Sequence, residues 1–359
     1  MEKVTAMPID PTPIARPKNA EPWRQINLSG IVTLVLASSV PIATGLFAMV
    51  LGLRFELALL FVFLPVQLVL GVIAGRRFSG KRGQSDAILQ ILVVFFAMTV
   101  VVLLVSVVWS VIERGSAALS WQFITQNNVY ISGQTSLEYG GLGHAIIGTL
   151  LIVLLSTIVT VPLGIATAVY LTETTGKTRS TVRTLIQALS GLPSVVAGLF
   201  ILSSLVDPVT KELSGLMGSL ALTILMIPTI ARTAEEMLRL IPNELREAGV
   251  ALGGTQWRTV AGVVLPAAKS GLVTAIILGV ARIIGETAPI LLVSGGGDSL
   301  NLNPTEGAMG SLPFYIWKAF LTSGTPESLA RAWAGMLVLL SFIFILFGMA
   351  RYISGRKVG

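Results

Sequence analysis

The stretch ILQILVVFFAMTVVVLLVSVVWSVI, residues 88–112, contains no charged residue. As a helix rising about 1.5 Å per residue it is long enough to cross the roughly 30 Å hydrocarbon core of a bilayer. Comparable apolar runs recur along the chain, which is 53% hydrophobic and 12% charged, with a mean hydropathy of +0.82. An integral membrane protein follows, all-α and polytopic. Eight spans are expected, at 31–51, 55–75, 88–112, 144–171, 182–204, 215–233, 271–294 and 332–354.

Basic residues orient these spans. With the N-terminus inside, the inner segments hold Lys3, Arg16, Lys18 and Arg24, then Arg76, Arg77, Lys81 and Arg82, then Lys177, Arg179 and Arg183. They also hold Arg232, Arg239, Arg246, Arg258 and Lys269, and finally Arg351, Arg356 and Lys357, making 19 of the 25 basic residues. Arg54, Arg114, Lys211, Lys318 and Arg331 fall outside, and Arg282 lies within a span. This excess of inner cations places both termini in the cytoplasm. The net charge of +7 is then accounted for by topology and contact with membrane lipid, without nucleic acid.

Residues 1–25, MEKVTAMPIDPTPIARPKNAEPWRQ, carry five prolines and no apolar core of a signal peptide, so a disordered cytoplasmic tail is expected. Residues 26–87 are expected to form an additional transmembrane hairpin with a basic loop, and residues 88–355 the main body. With no cysteine, disulfides and thiol catalysis are excluded. The single histidine, His144, cannot supply the two histidines of a zinc-protease helix, and a packing or capping role is expected for it; no metal site is predicted. GRRFSGKR, residues 75–82, has the spacing of a phosphate-binding loop but puts Arg82 where Ser or Thr is required. GKT at 176–178 has Leu171 where the first glycine belongs. This chain is therefore not expected to bind nucleotide.

One inner segment is patterned differently: TAEEMLRLIPNELREAGVALGGTQWRTVAGVVLPAA, residues 233–268. Asn243 is an expected N-cap, Glu244 and Glu247 sit in the first turns, and Leu245, Ala248 and Leu252 line one side. Gly253-Gly254 supplies a positive-φ exit, Thr255 caps a second short helix, and Pro266 separates that helix from the next span. A helix, tight turn and helix on the cytoplasmic surface is predicted. By periodicity alone it is either an interfacial hairpin or a rigid projection that transmits force from a partner.

Glu247-Ala248-Gly249, Gly253 six positions after the glutamate, and Leu265-Pro266 resemble the EAA loop of bacterial ABC importer permeases, with Gly249 in place of the usual second alanine. GGLGHAIIGTLLIVLLSTIVTVPLGIATAVYLTE (140–173), LSGLPSVVAGLF (189–200) and ARIIGETAPILL (281–292) resemble the A-type permeases of phosphate-specific ABC importers, a likeness spanning about residues 140–355. The resemblance implies a type I importer core of six helices in a bacterial cytoplasmic membrane, preceded here by the extra two-helix hairpin. It implies a non-catalytic subunit that couples to its ATPase through Glu247, Ala248, Gly249, Gly253, Leu265 and Pro266. The implied partners are a C-type permease subunit, two copies of an ATPase subunit that hold ATP and magnesium, and an extracytoplasmic phosphate-binding protein. A self-contained secondary transporter driven by an ion gradient, with inverted repeats and broken-helix ion sites, is the alternative; a membrane scaffold is a third.

In GVARIIGETAPILLV, residues 279–293, Arg282 and Glu286 stand four apart in an otherwise apolar run. An arginine near the bilayer midplane costs about 2.5–3.5 kcal/mol on insertion scales, so a partner or a water-filled path is expected. Glu286 is the nearest candidate, although Arg preceding Glu is the weaker order for a helical pair. Because a guanidinium binds a phosphate oxyanion bidentately, Arg282, Glu286 and Thr287 are expected to line the substrate path, with Glu286 tempering the grip of Arg282. A buried structural pair is the competing explanation. Gly285 is expected to allow a close helix approach and Pro289 a kink, and Pro162, Pro193 and Pro228 are read as packing features.

Overall fold

The computed structural model describes residues 28–52, 58–322 and 324–355; the expected N-terminal tail lies outside them. Among these residues the chain is helical, with one isolated β-bridge between Gly295 and Met309. It divides into two compact units between Ser106 and Val107, inside the helix that contains residues 88–112.

The first unit holds helix α1 (Leu28–Val50) and most of α2 (Leu64–Gly115). As a straight rod the 52 residues of α2 would measure about 78 Å, more than twice the hydrocarbon thickness. Gly80, at φ 65°, reverses it. A Cβ on Gly71 would strike Ile91, and one on Gly75 would strike the Gly83 carbonyl and approach Cβ of Ala87 to 2.8 Å, contacts that require the chain to double back. The expected basic loop between the second and third spans is thus a tight turn. Beyond it, Val93, Phe96, Val100, Leu104 and Val107 remain more than half exposed, as side chains facing lipid do.

The second unit is built around α6 (Gly215–Arg239), which lies against α3 (Gly143–Glu173) and α8 (Lys269–Ile283). Small residues admit this packing, since bilayer lipid gives apolar helices little other reason to associate. A Cβ on Gly164 would come 2.8 Å from Ile230, one on Gly279 2.6 Å from the same side chain, and one on Gly271 2.8 Å from Met237. Ile152, Leu222, Leu225, Met226, Ile230, Ile283 and Ile290 close the core. Ser156 donates across the helix pair to the Ser219 carbonyl at 2.9 Å. Pro162 and Pro228 lie inside continuous helices.

Two expected spans are not straight. The run 182–204 is divided between α4 (Lys177–Ser190) and a segment beginning with α5 (Ser194–Ile201), which meet at 103°. Gly191 caps α4 and Pro193 disfavours a helical Leu192, so the chain turns there. Within that run the part after Pro193 carries no charged residue, whereas the part before it carries Arg183. The run 271–294 begins after a 74° bend at Ala268 and ends as a helix at Ile283; α9 (Ala288–Val293) begins after a break of four residues. Among the described residues four helices qualify as spans by length and composition, Gly80–Ala118, Gly143–Glu173, Gly215–Arg239 and Pro326–Gly348, or six if each bent pair counts once; the expected spans at 31–51 and 55–75 flank residues outside the described set.

At the Gly143 end of α3 the connections form a cap. Here α10 (Leu312–Leu321) packs beside α11 (Pro326–Gly355), and Arg331, 4% exposed, donates through Nη2 to the carbonyls of Thr135, Ser136 and Tyr139. Burial raises the Tyr315 phenol well above its ordinary pKa, against the opposing pull of Arg331. His144 is 3% exposed, with its ring 6.0 Å from that of Tyr315, and Leu142 occupies the cap position, so packing is its role in the fold.

Candidate functional site

Arg282 occupies the last turn of α8, about 20 Å along that helix from Lys269. Its neighbours Ile283 and Ile284 are anchored in the core at 0% and 2% exposure, whereas Arg282 itself is exposed. The helix ends because Ile284 and Gly285 form a turn and Pro289, at the start of α9, cannot donate a backbone hydrogen bond. The Glu286 N–H donates to the Ile283 carbonyl at 3.1 Å, and Thr287 caps α9 through its backbone.

The expected Arg282–Glu286 pair is absent: among the described residues neither side chain forms an ion pair. The i,i+4 geometry that would join them is lost when the helix stops between them. This corrects the pairing and also removes the objection to charge order, since a cation in the last turn of a helix meets the negative end of its dipole. Gly285 has nothing within 4 Å of a built Cβ, so the expected close approach belongs to Gly198 instead, whose Cβ would come 2.8 Å from Cα of Pro289. Non-helical backbone at membrane depth is tolerated where it is covered by protein or lines a water-filled cavity. An unpartnered guanidinium there points to the second of these, or to a neighbouring subunit.

The segment predicted as helix, turn and helix has that form. Helix α7 (Asn243–Ala251) ends at Leu252, Gly253 turns at φ 85°, and the Thr255 hydroxyl accepts from the Arg258 N–H at the start of Gln256–Thr259. Pro242, not Asn243, is the N-cap. Asn243 instead accepts through Oδ1 from Nη1 of Arg246 at 3.3 Å. At Gly249 a Cβ would strike the Thr259 side chain, so the departure from alanine fits the close approach of Thr259 at this turn. Leu265 packs on the cluster of Ala168, Ala234, Leu238, Val260 and Val264, and Pro266 opens the last helical turn before the bend at Ala268. Glu247 and Ala248 face outward beside Leu245, Val250, Leu252 and Trp257, which are 41%, 54%, 90% and 59% exposed. This apolar patch on a polar surface has the character of a contact face.

The residue that secures the segment went unnoticed in the sequence. Arg246 donates through Nε to Glu173 at 3.1 Å, and to the carbonyls of Ile241 at 2.6 Å and Leu238 at 2.9 Å. Gln256 adds a bond to the Glu173 carbonyl at 2.7 Å. The available signal was Glu173 itself. A carboxylate at the C-terminal end of an apolar helix opposes the helix dipole and calls for a cation.

Residues 160–358 match the family model of the binding-protein-dependent transport system inner membrane component. The phosphate transport system permease protein PstA 1 of Mycobacterium tuberculosis (strain CDC 1551 / Oshkosh) is 38% identical over 273 residues, covering 73% of this chain and 88% of that protein. PstA of Yersinia pestis is 35% identical over 256 residues, 71% of this chain and 84% of its own length. A chain of the MetNI methionine ABC transporter, solved in inward-facing conformations, matches 60% of this chain and 93% of its own at a TM-score of 0.47 and 20% identity. This chain is a multi-pass membrane protein that belongs to the inner membrane components of binding-protein-dependent transport systems and, among them, to the PstA family of phosphate transport permeases.

Proposed function

We propose that this chain forms half of the path of an ATP-driven phosphate importer and converts motion of a separate ATPase into alternating access. The observation that carries the path is Arg282, an exposed cation without an ion-pair partner among the described residues, next to a non-helical break that contains Glu286 and Thr287. A guanidinium so placed recognises an oxyanion by its planar fork, and the adjacent carboxylate limits how tightly that anion is held. The relatives named for phosphate transport support phosphate as the anion. A second permease of C type completes the path, and a phosphate-binding protein delivers substrate at the Gly143 end of α3.

The opposite end of α3 faces the cytoplasm in this reading, supported by the basic residues Lys177, Arg179, Arg183, Arg239 and Arg246 in and after the helices that end there. Glu247, Ala248, Gly249 and Gly253, with Leu265 and Pro266 as their footing, present the contact face to one of two ATPase copies, where ATP and magnesium are held. The test is reconstitution of the chain with those partners in proteoliposomes. Radiolabelled phosphate uptake that requires ATP is expected; uptake driven by an ion gradient without ATP would support a secondary transporter instead.

A substitution in the coupling turn separates insertion from coupling. Gly253→Val places a β-branched residue at φ 85°, with an expected local cost of about 1–3 kcal/mol. A Cβ there meets nothing within 4 Å, so the effect comes from the backbone. Phosphate uptake is expected to fall while the amount of protein in the membrane, measured by immunoblot, stays unchanged. Uptake and ATPase co-purification equal to the parent would refute the coupling role.

A further inference from the structure

Beside the last turns of α6, where α4 packs across them, a cleft of about 270 Å³ is lined by Arg183, Gln187, Arg232, Glu235, Glu236 and Arg239. It is separate from both the path charges and the coupling turn. Glu235, 9% exposed, accepts from Nη2 of Arg183 at 2.6 Å and from Nη2 of Arg239 at 2.5 Å, both on the same oxygen. A single guanidinium can satisfy a carboxylate through both oxygens. Two sharing one oxygen leave most of their ten N–H donors uncommitted. Arg232 opens on the same cleft and forms no hydrogen bond or ion pair with another described residue. Three guanidiniums against two carboxylates leave one positive charge in surplus, beside a helix pair that bends through 103° and, in the orientation proposed above, at the cytoplasmic membrane interface.

We propose that this cleft binds a phosphate group, held by Arg232 and by the free edges of Arg183 and Arg239. Forks presented from two helices can each engage a different pair of the oxygens of a phosphate, which offers more acceptors than a carboxylate's two and a directional geometry that chloride lacks. Two sources present that chemistry here: inorganic phosphate in the cytoplasm and the headgroup of an anionic phospholipid in the adjacent leaflet. The first rests on the transport reading above, and the second is independent of it. In either case the incoming anion competes with Glu235 for two of its cations. The same turn of α6 offers the Leu238 carbonyl to Arg246, so occupancy is transmitted to the foot of the coupling segment.

The test has two arms and uses the assembled transporter. In phosphatidylcholine nanodiscs, with Arg282→Gln present to remove the path's own cation, equilibrium binding of radiolabelled inorganic phosphate is expected to weaken roughly tenfold when Arg232→Gln is added, the loss of about one charge-assisted bond. In the second arm, native mass spectrometry of complex released from vesicles containing phosphatidylglycerol counts retained lipid. Loss of that lipid on Arg232→Gln identifies the headgroup as the ligand. Arg232 makes no bond with another described residue, so Arg232→Gln alone is expected to leave folding, and initial uptake into phosphatidylcholine vesicles that start free of phosphate, unchanged. The transport reading is thereby judged separately. Phosphate binding and lipid retention that are both indifferent to Arg232→Gln overturn the site, including the case in which a carboxylate of the ATPase fills it.

Discussion

Arg282→Gln is expected to lower ATP-dependent phosphate uptake about 10- to 100-fold while the amount of assembled complex stays at the parental level. The magnitude is that of charge-assisted hydrogen bonds to a substrate, about 1.5–3 kcal/mol. The unchanged assembly follows from the geometry. In a buried ion pair, removing one partner strands the other at a cost of about 3–5 kcal/mol, and the complex itself would be lost. Here Glu286 lies beyond the end of α8 and is not paired with Arg282, so nothing is stranded. Arg282→Lys keeps the charge but loses the planar fork, and intermediate uptake is expected. Glu286→Gln is expected to have the smaller effect, on release of the anion more than on its capture. Radiolabelled uptake normalised to complex recovered by affinity purification decides the matter. Uptake within twofold of the parent would remove Arg282 from the path, and loss of assembled complex would make it a structural residue at a subunit interface.

The difference between the expected and observed surroundings of Arg282 shows what kind of information the sequence carried. The break at residues 284–287 is short and flanked by apolar runs on both sides, so hydropathy averaged over 271–294 reads as though the helix continued, despite Arg282 and Glu286. Gly285 and Pro289 were visible, but each is also tolerated inside membrane helices, where neighbours meet the freed backbone groups. The 103° turn at Gly191–Pro193 was hidden in the same way inside the run 182–204. Local chemistry with a single solution was legible: Gly253 has the positive φ that its position required, and Thr255 makes the expected cap. Asn243 failed as a cap because Pro242, one residue earlier, fixes the entry to α7 with its own backbone. Contacts distant in sequence left weaker traces. Glu173 and Arg246 are separated by 73 positions, and only the misfit between a carboxylate and its helix end hinted that they meet.

Arg246→Met is expected to uncouple ATP hydrolysis from transport, lowering uptake by more than tenfold while ATP turnover persists without stimulation by substrate. Arg246 joins three things: the end of α3 through Glu173, the end of α6 through the carbonyls of Leu238 and Ile241, and α7, on which it sits. The Glu173 side chain is 7% exposed and that of Arg246 20%, so the pair is largely shielded from solvent. Methionine preserves much of the aliphatic stem but leaves the carboxylate stranded, at a local cost of about 3–5 kcal/mol. Adding Glu173→Gln separates the electrostatic loss from the mechanical one. The double variant no longer strands a charge, so the membrane level and thermal stability of the complex are expected to recover. Coupling is not, because the carbonyls of Leu238 and Ile241 remain without their donor and α7 stays loose from α6. Full recovery of uptake in the double variant would mean that the guanidinium serves only to neutralise Glu173. A recovered, ATP-hydrolysing and non-transporting complex would place the rigid joint between α3, α6 and α7 on the route by which the ATPase moves the membrane helices.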